Sequence, residues 1–354
     1  MAATHLWVRA EQRAHEQRVG LAPDGAARLI EAGMRVTVEE SASRAIPMEE
    51  YADAGVETAR EGSWPSAPGN AIVFGLKELP DDGTPLGHRH IFFGHAFKGQ
   101  HAGRRLLSRF RAGGGTLYDL EYLVDDEGRR VAAMGYWAGY VGAAVALKAW
   151  AAQLRGGMCG PIDVYPDKPA LNADVAGDLE AADAGLPDAL VIGALGRVGT
   201  GASDLCRAMG AAVTKWDVAE TAHGGPYPEI LDHDVFLNCV LAGPKTPVFV
   251  PRPALAADRR LRVIGDVACD PDSDYNPVPV YTRVTSWERP AVRVGDDPPL
   301  DVVAIDNLPS VLPRESSEDY AAQLLPTLLT LDDPEAGVWQ RARAEFARHL
   351  GTAK

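Results

Sequence analysis

Residues 189–217, ALVIGALGRVGTGASDLCRAMGAAVTKWD, restrict what this chain can fold into more than any other stretch. Ala189 to Ile192 is a short apolar run of the kind that fills a strand buried on both faces. Gly193, Gly196 and Gly199 follow at spacings of three, and Gly201 adds a fourth glycine. Side chains there would keep the backbone away from a pyrophosphate, whose charge is met by free N–H groups at the start of the next helix. Ala202, Leu205, Cys206 and Met209 recur at helical spacing, Gly210 ends that helix, and Ala211 to Trp216 reads as a second strand ending in Asp217. This succession is that of a dinucleotide-binding unit. A carboxylate at the tip of the second strand accepts hydrogen bonds from a ribose diol and repels a 2′-phosphate, so NAD is the expected cofactor. Gly193, Gly196, Arg197, Val198, Gly199 and Asp217 are the residues expected to hold it. The spacing is GxxGxxG and not GxGxxG, so the flanking strand, helix and acid carry the reading.

Elsewhere the chain alternates between short apolar runs and amphipathic stretches. Strands are expected at Leu6 to Arg9, Arg35 to Val38, Ala71 to Gly75, His90 to Gly94 and Thr116 to Leu120. Helices are expected at Pro23 to Ala32, with Gly33 as its stop, near Met48 to Ala54, and over the basic stretch Gln100 to Arg111. Residues 136–155, YWAGYVGAAVALKAWAAQLR, read as a buried helix joining two domains, and the proline-rich, acidic residues 160–188 as a loop-laden connection. Further strands follow at Val235 to Val240, Leu261 to Gly265 and Val302 to Ile305, then helices at Ser317 to Leu329 and Pro334 to Leu350. The expected fold class is α/β, with two Rossmann-like doubly wound domains and an interdomain cleft. The first domain, residues 1–138 plus 318–354, is discontinuous and binds substrate; the second, 139–317, binds NAD.

Composition narrows the function. A chain of 354 residues with 46% hydrophobic and 24% charged residues is globular and large enough to bury a core without disulfides. A net charge of −14 argues against nucleic acid as a partner, although one basic pocket can sit within an acidic exterior. No apolar run approaches membrane-spanning length and the amino terminus lacks a signal-type apolar segment, so a soluble, cytoplasmic protein without a membrane partner is expected. Cys159, Cys206, Cys239 and Cys269 have no metal-ligand spacing and read as reduced thiols; no metal is expected.

Chemistry belongs where parallel strands end. FGLKE puts Lys77 and Glu78 just past one strand, and FFGHAFKG puts His95 and Lys98 just past another. Singly, such residues are ordinary loop residues. If the two strands are neighbours, Lys77 and His95 face one crevice and form an acid/base pair in which His95 is the better base near neutral pH. Arg18, Arg129 and Arg130 supply guanidinium forks suited to carboxylates, and Glu78, Glu121 and Asp306 also follow strands, where they can pair with a substrate ammonium.

The blocks LWVRAE, FGLKELP, GHAFKGQ, GGGTLYDLEYL, GRRVAAMGY, GALGRVGTGA, KWDVAET, GGPYPEI and IDNLPSVLPRE together resemble the NAD-dependent, lysine-forming saccharopine dehydrogenases, within the alanine dehydrogenase-like superfamily. The resemblance covers most of the chain. It implies that Lys77 and His95 are catalytic, that Arg18 and Arg130 hold substrate carboxylates, and that Lys98, Glu78, Glu121 and Asp306 line the same cleft. The implied reaction is reversible oxidative cleavage of the secondary amine saccharopine, with NAD and water, to L-lysine and 2-oxoglutarate. The implied partners are small molecules and the implied state a monomer. Two departures stand out: Arg13 replaces an expected lysine, and Val198 occupies the place of one partner of a disulfide found in some members. The open alternatives are a related dehydrogenase acting on alanine or another N-carboxyalkyl amino acid, for which two arginines are surplus in the alanine case, and a non-catalytic NAD sensor, which needs neither Lys77 nor His95.

Overall fold

The apolar runs form strands mostly buried on both faces, and these, with more exposed edge strands, assemble into two six-stranded sheets. The computed structural model describes residues 3–13, 15–97 and 101–352. The chain divides into two compact units, one made of Met1–Ala133 with Ser316–Lys354, the other of Met134–Glu315.

In the first unit the elements run β1 (His5–Val8), α1 (Pro23–Glu31), β2 (Arg35–Glu39), α2 (Met48–Asp53), β3 (Glu57–Ala59), β4 (Ile72–Phe74), β5 (Arg89–Phe92), α3 (His101–Gly113) and β6 (Thr116–Asp119). Their order across the sheet is β3-β2-β1-β4-β5-β6, with every pairing parallel. The order in which successive strands are added reverses between β1 and β4. That is the switch point at which open α/β sheets leave a crevice at their carboxyl edge. Proline in the first turn of α1 costs no intrahelical bond, and Gly33, at φ +88°, supplies the left-handed turn that ends it.

The second unit contains α4 (Gly135–Leu154), α5 (Lys168–Ala182), β7 (Asp188–Ile192), α6 (Arg197–Ala208), β8 (Ala212–Trp216), α7 (Val218–Thr221), β9 (Val235–Asn238), β10 (Val263–Asp266), β11 (Val292–Asp296) and β12 (Pro299–Val303). Its sheet order is β11-β12-β10-β9-β7-β8, parallel except for β11 against β12. Two closing helices complete the chain, α8 (Pro313–Leu328) and α9 (Gly337–Thr352). Within the first unit α9 lies on β6, where Trp339, fully buried, meets Tyr118 edge-on at 5.4 Å between ring centroids. No described helix is long and apolar enough to cross a membrane.

Residues 160–188 differ from expectation. They include a 15-residue helix, α5, where the proline content suggested loops. Pro169 sits in the first turn, where proline is tolerated; Asp167 caps the N-terminus by accepting the Ala170 N–H at 2.8 Å; Asp183 ends the helix in the left-handed region at φ +48°. Leu171, Val175 and Leu179, four residues apart, bury one face. The edge strands β3 and β11 also escaped the sequence reading, because neither carries an apolar run.

Gly201 has a different role from the one expected of it. It lies inside α6 and not in the turn, and a Cβ there would fall 1.9 Å from the Tyr136 carbonyl oxygen; a Cβ on Gly139 of α4 would fall 1.8 Å from the Val198 carbonyl oxygen. These glycines therefore serve the backbone-to-backbone approach of α4 and α6, which in turn seats α6 on its sheet. The four cysteines are free, as the sequence suggested. Burial pushes the Cys159 thiol up to about 11 and those of Cys206 and Cys269 to about 12, so they stay protonated at neutral pH.

Two glycines give opposite expectations. Gly201→Ala must separate α4 from α6 and should cost about 2 kcal/mol or more, as overpacking does. Gly177→Ala, in an exposed turn of α5 with no atom within 4 Å of a new Cβ, should stabilise by about 0.5–1 kcal/mol. Chemical denaturation of the two variants beside the parent checks both signs.

Candidate functional site

The carboxyl edge of the first sheet gathers most of the reactive residues named from the sequence. Strands β4 and β5 are adjacent, so the segments bearing Lys77 and His95 leave neighbouring strands, which was the condition for one crevice. Beyond β5, His95 takes a left-handed conformation at φ +48° and stacks on Phe93 at 6.2 Å with 13° between the ring planes. Beyond β6, the fully buried Asp119 accepts the N–H of Gly94 at 3.2 Å and of Glu121 at 3.0 Å, tying the two loops together. Glu121 then lies between His95, with 3.7 Å from Oε2 to Nδ1, and Arg130, with 3.9 Å from Oε1 to Nη2.

The two arginines of GRR separate. Arg129 pairs with Asp125 and Glu127 and is 74% exposed. Arg130, bridged in antiparallel fashion to Val124, turns to Glu121. Spacing alone does not choose between them, whereas the resemblance points to Arg130; the turn Asp125 to Gly128 draws Arg129 away, because Asp125 also takes the Arg129 N–H at 2.8 Å.

Arg18 is buried, and its fork is met by Glu16: Nε to Oε1 at 2.8 Å and Nη2 to Oε2 at 2.7 Å. Burial pushes the Glu16 carboxyl up, but the Arg18 guanidinium outweighs this and holds it below the usual carboxylate range. Glu16 went unremarked in the sequence; its signal was a glutamate two residues before an arginine that had to be buried beside an anion. The Lys77 amine is moved the other way. Desolvation lowers its pKa most, the Arg18 cation adds to the effect, and Glu16 partly opposes it. Arg13 reaches Glu78 at 3.5 Å, both side chains being nearly half exposed. A cavity of about 340 Å³ opens beside Glu78, Gly94 and His95 and runs along α3 past Gly103, Arg105 and Leu106. Lys98 lies outside the described residues. Asp306 belongs to the second unit, exposed, three residues past β12.

In the second unit the glycine turn follows β7 at the switch between β7 and β9. Gly193, at φ +83°, has no room for a Cβ, which would lie 2.8 Å from the Cys239 carbonyl oxygen; a Cβ on Gly199 would lie 2.2 Å from the Gly193 oxygen. Gly196, which has no side chain to cap α6, stands at the N-terminus of that helix beside a cavity of about 480 Å³ lined by Gly193, Gly196, Asp217, Val218 and Lys245. Arg197 and Val198 begin α6, and Val198 packs toward Gly135 at the start of α4. Asp217 takes the Leu195 N–H on Oδ2 and the Val218 N–H on Oδ1, each at 2.9 Å. The α7 capping box adds the Glu220 N–H as a third, and because a carboxylate accepts about four hydrogen bonds, capacity remains for a ribose hydroxyl. This cradle suits a dinucleotide: tight backbone, helix amides for phosphate, and an acid at the rim.

A family profile described as "Alanine dehydrogenase/PNT, N-terminal domain" matches residues 7–141. A solved L-alanine dehydrogenase superposes with a TM-score of 0.67 at 19% identity, covering 98% of this chain and 94% of that one; a transhydrogenase from Sinorhizobium meliloti does so with 0.62 at 16% identity, covering 94% and 95%. The chain thus shares the α/β fold of these two structures. Curated proteins named saccharopine dehydrogenase (NAD(+), L-lysine-forming) match along their full length: that of Neurospora crassa is 46% identical over 99% of this chain and 98% of its own, and that of Yarrowia lipolytica 44% identical over the same shares. The chain belongs to this saccharopine dehydrogenase family.

The Glu16–Arg18 pair sets a pH expectation. Because the Glu16 pKa is lower folded than its ordinary value of 4.5, its stabilisation is complete above that value and is lost as pH falls through the folded value. Glu16→Gln leaves Arg18 buried beside a neutral group and should cost about 3 kcal/mol at pH 7, with the deficit shrinking below about pH 4.5 as the parent loses its carboxylate too. Urea unfolding of both proteins across pH 3–7 checks this.

Proposed function

We propose that this protein oxidatively cleaves saccharopine, with NAD and water, to L-lysine and 2-oxoglutarate, reversibly. The observation that carries the reading is the gathering of a desolvated Lys77, His95, Glu121, Arg130 and Arg18 at one sheet edge, in a chain whose full-length relatives bear that enzyme name. The first unit is the substrate-binding one and the second holds NAD, through Gly193, Gly196, Arg197, Val198, Gly199 and Asp217. Bound there, NAD would supply the acceptor for the hydride that leaves the glutarate carbon carrying the secondary amine.

The chain's own residues handle protons and carboxylates. Saccharopine's ammonium must lose a proton before its nitrogen lone pair can form an imine; water then adds to the imine carbon, and collapse of the carbinolamine with proton delivery to nitrogen frees lysine. Lys77 and His95 share these transfers. An amine whose pKa is lowered by burial gives up its proton at a lower pH than a free lysine does, which favours Lys77 in proton transfer. Arg18 and Arg130 hold substrate carboxylates, Arg18 already oriented by Glu16. Glu78, Glu121, Lys98 and Asp306 complete the substrate-binding set, with the carboxylates suited to an ammonium. A substrate with several carboxylates uses both arginines, which alanine does not. As part of the same reading the protein is a cytoplasmic monomer whose partners are small molecules, with neither nucleic acid nor membrane.

Two expectations follow from these roles. Lys77→Met and His95→Gln should each lower kcat by about 100-fold or more, with NAD binding little changed and a double variant losing less than the product of the two. Steady-state kinetics following NADH absorbance checks this, and full kcat in both single variants moves the chemistry elsewhere. The parent should strongly prefer NAD to NADP in kcat/KM. Asp217→Asn keeps an oxygen to cap α7 but removes the charge that repels a 2′-phosphate, and should narrow the preference about tenfold, a change of ~1.4 kcal/mol. Equal use of both cofactors by the parent contradicts this assignment.

A further inference from the structure

We infer that Arg9 and Glu11, just past β1, form a clamp that positions Lys77 by gripping its backbone from both sides. This rests on the reading of Lys77 as catalytic and adds two positioning residues to it. Glu11 accepts the Leu76 N–H on Oε1 at 2.6 Å and the Lys77 N–H on Oε2 at 3.0 Å, while Arg9 Nη2 donates to the Lys77 carbonyl oxygen. Both polar groups of Lys77's main chain are therefore held by side chains from the neighbouring strand, and the two side chains are paired at 3.4 Å with side-chain exposures of 0% and 6%. Beyond β4 the regular ladder thins to single main-chain bonds, and in most folds such a segment is a free loop.

The clamp is itself held. Arg9 donates its N–H to the Phe74 carbonyl oxygen at 2.8 Å, and the Ala10 N–H goes to the fully buried Glu39 at 2.9 Å, which also takes the amides of Gly62 and Trp64. Gly75 is shaped around it: a Cβ there would fall 2.3 Å from the Arg9 guanidinium carbon. On the other side, Gly75 N–H reaches Ile91 O and Phe93 N–H reaches Leu76 O, each at 3.0 Å, so the segment leading to His95 is fastened to the clamped one. Arg9 and Glu11 occupy the β1–β4 switch point, where a ligand would otherwise lie against bare strand ends. The charges of the pair offset one another, and the largest charge effects on the Lys77 amine come from Arg18, Glu16, Arg13 and Glu78. The clamp thus acts through geometry, whereas Glu16 acts through charge.

The test is a kinetic cycle of Glu11→Ala and Glu11→Gln, each in the parent and in Lys77→Met, with NAD binding and the thermal midpoint recorded for every variant. Glutamine keeps one acceptor for the two N–H groups and covers the case in which the alanine variant does not fold. In the parent, folded Glu11 variants should lose about 10- to 100-fold in kcat, the scale of a misplacement near 1 Å, with the pKa values of the kcat profile unmoved. In Lys77→Met the same substitutions should change the residual kcat by less than about 2-fold, because the group they position is gone. Folded Glu11 variants with full kcat, or with equal losses in both backgrounds, overturn the clamp. Full kcat in Lys77→Met alone overturns the underlying reading of Lys77 instead, and is seen without any Glu11 variant.

Discussion

Parallel pairing is the constraint from which the functional arrangement follows. When neighbouring strands run the same way, all their carboxyl ends emerge on one edge, and residues remote in sequence are brought together simply by following a strand. Arg9 and Glu11 follow β1, Lys77 and Glu78 follow β4, His95 follows β5 and Glu121 follows β6. The second sheet repeats the principle, with the glycine turn after β7, Asp217 after β8 and Cys239 after β9. Neither assembly needs a special loop to reach across the fold.

What the sheet edge then has to manage is charge out of water. A carboxylate or guanidinium buried without a partner costs several kcal/mol, so each buried charge here is matched: Glu16 to Arg18, Glu11 to Arg9 and two amides, Asp119 and Glu39 to main-chain N–H groups. Pairing of this kind fixes rigid geometry around Lys77 while leaving the amine itself as the desolvated, shifted group. An amine in that setting gives up its proton more readily than one in water, which is the property proton transfer from a substrate ammonium requires.

Legibility in the sequence tracked how local the deciding interaction was. The strands β1, β4, β5, β7 and β9 could be read because burial on both faces favours apolar residues, and Asp217 because it follows the helix and strand that succeed the glycine turn. Lys77 and His95 were visible as charged or titratable groups just past strands. Gly201 was misread because a glycine beside a turn and a glycine between two helices look alike until α4 is laid on α6. Helix α5 was hidden by a proline whose position in the first turn is harmless. The buried carboxylates were hidden for a different reason: Glu11 meets Leu76 and Lys77 across some 65 residues of chain, and Glu39 meets Gly62 and Trp64, contacts that exist only once the register of β1, β2 and β4 is set. Spacing alone could not tell Arg129 from Arg130, and the turn that precedes them is what draws the two apart.

The central claim is which carbon of the secondary amine is oxidised, because the choice between the lysine side-chain carbon and the glutarate α-carbon fixes the products. Saccharopine carrying deuterium at the glutarate α-carbon, incubated with the protein and NAD, decides it by mass spectrometry of the nucleotide and the amino acids. Transfer of the label to the reduced nicotinamide with formation of unlabelled lysine and 2-oxoglutarate is the predicted result. Unlabelled NADH with glutamate as the released amino acid, or no NADH at all from saccharopine, contradicts it.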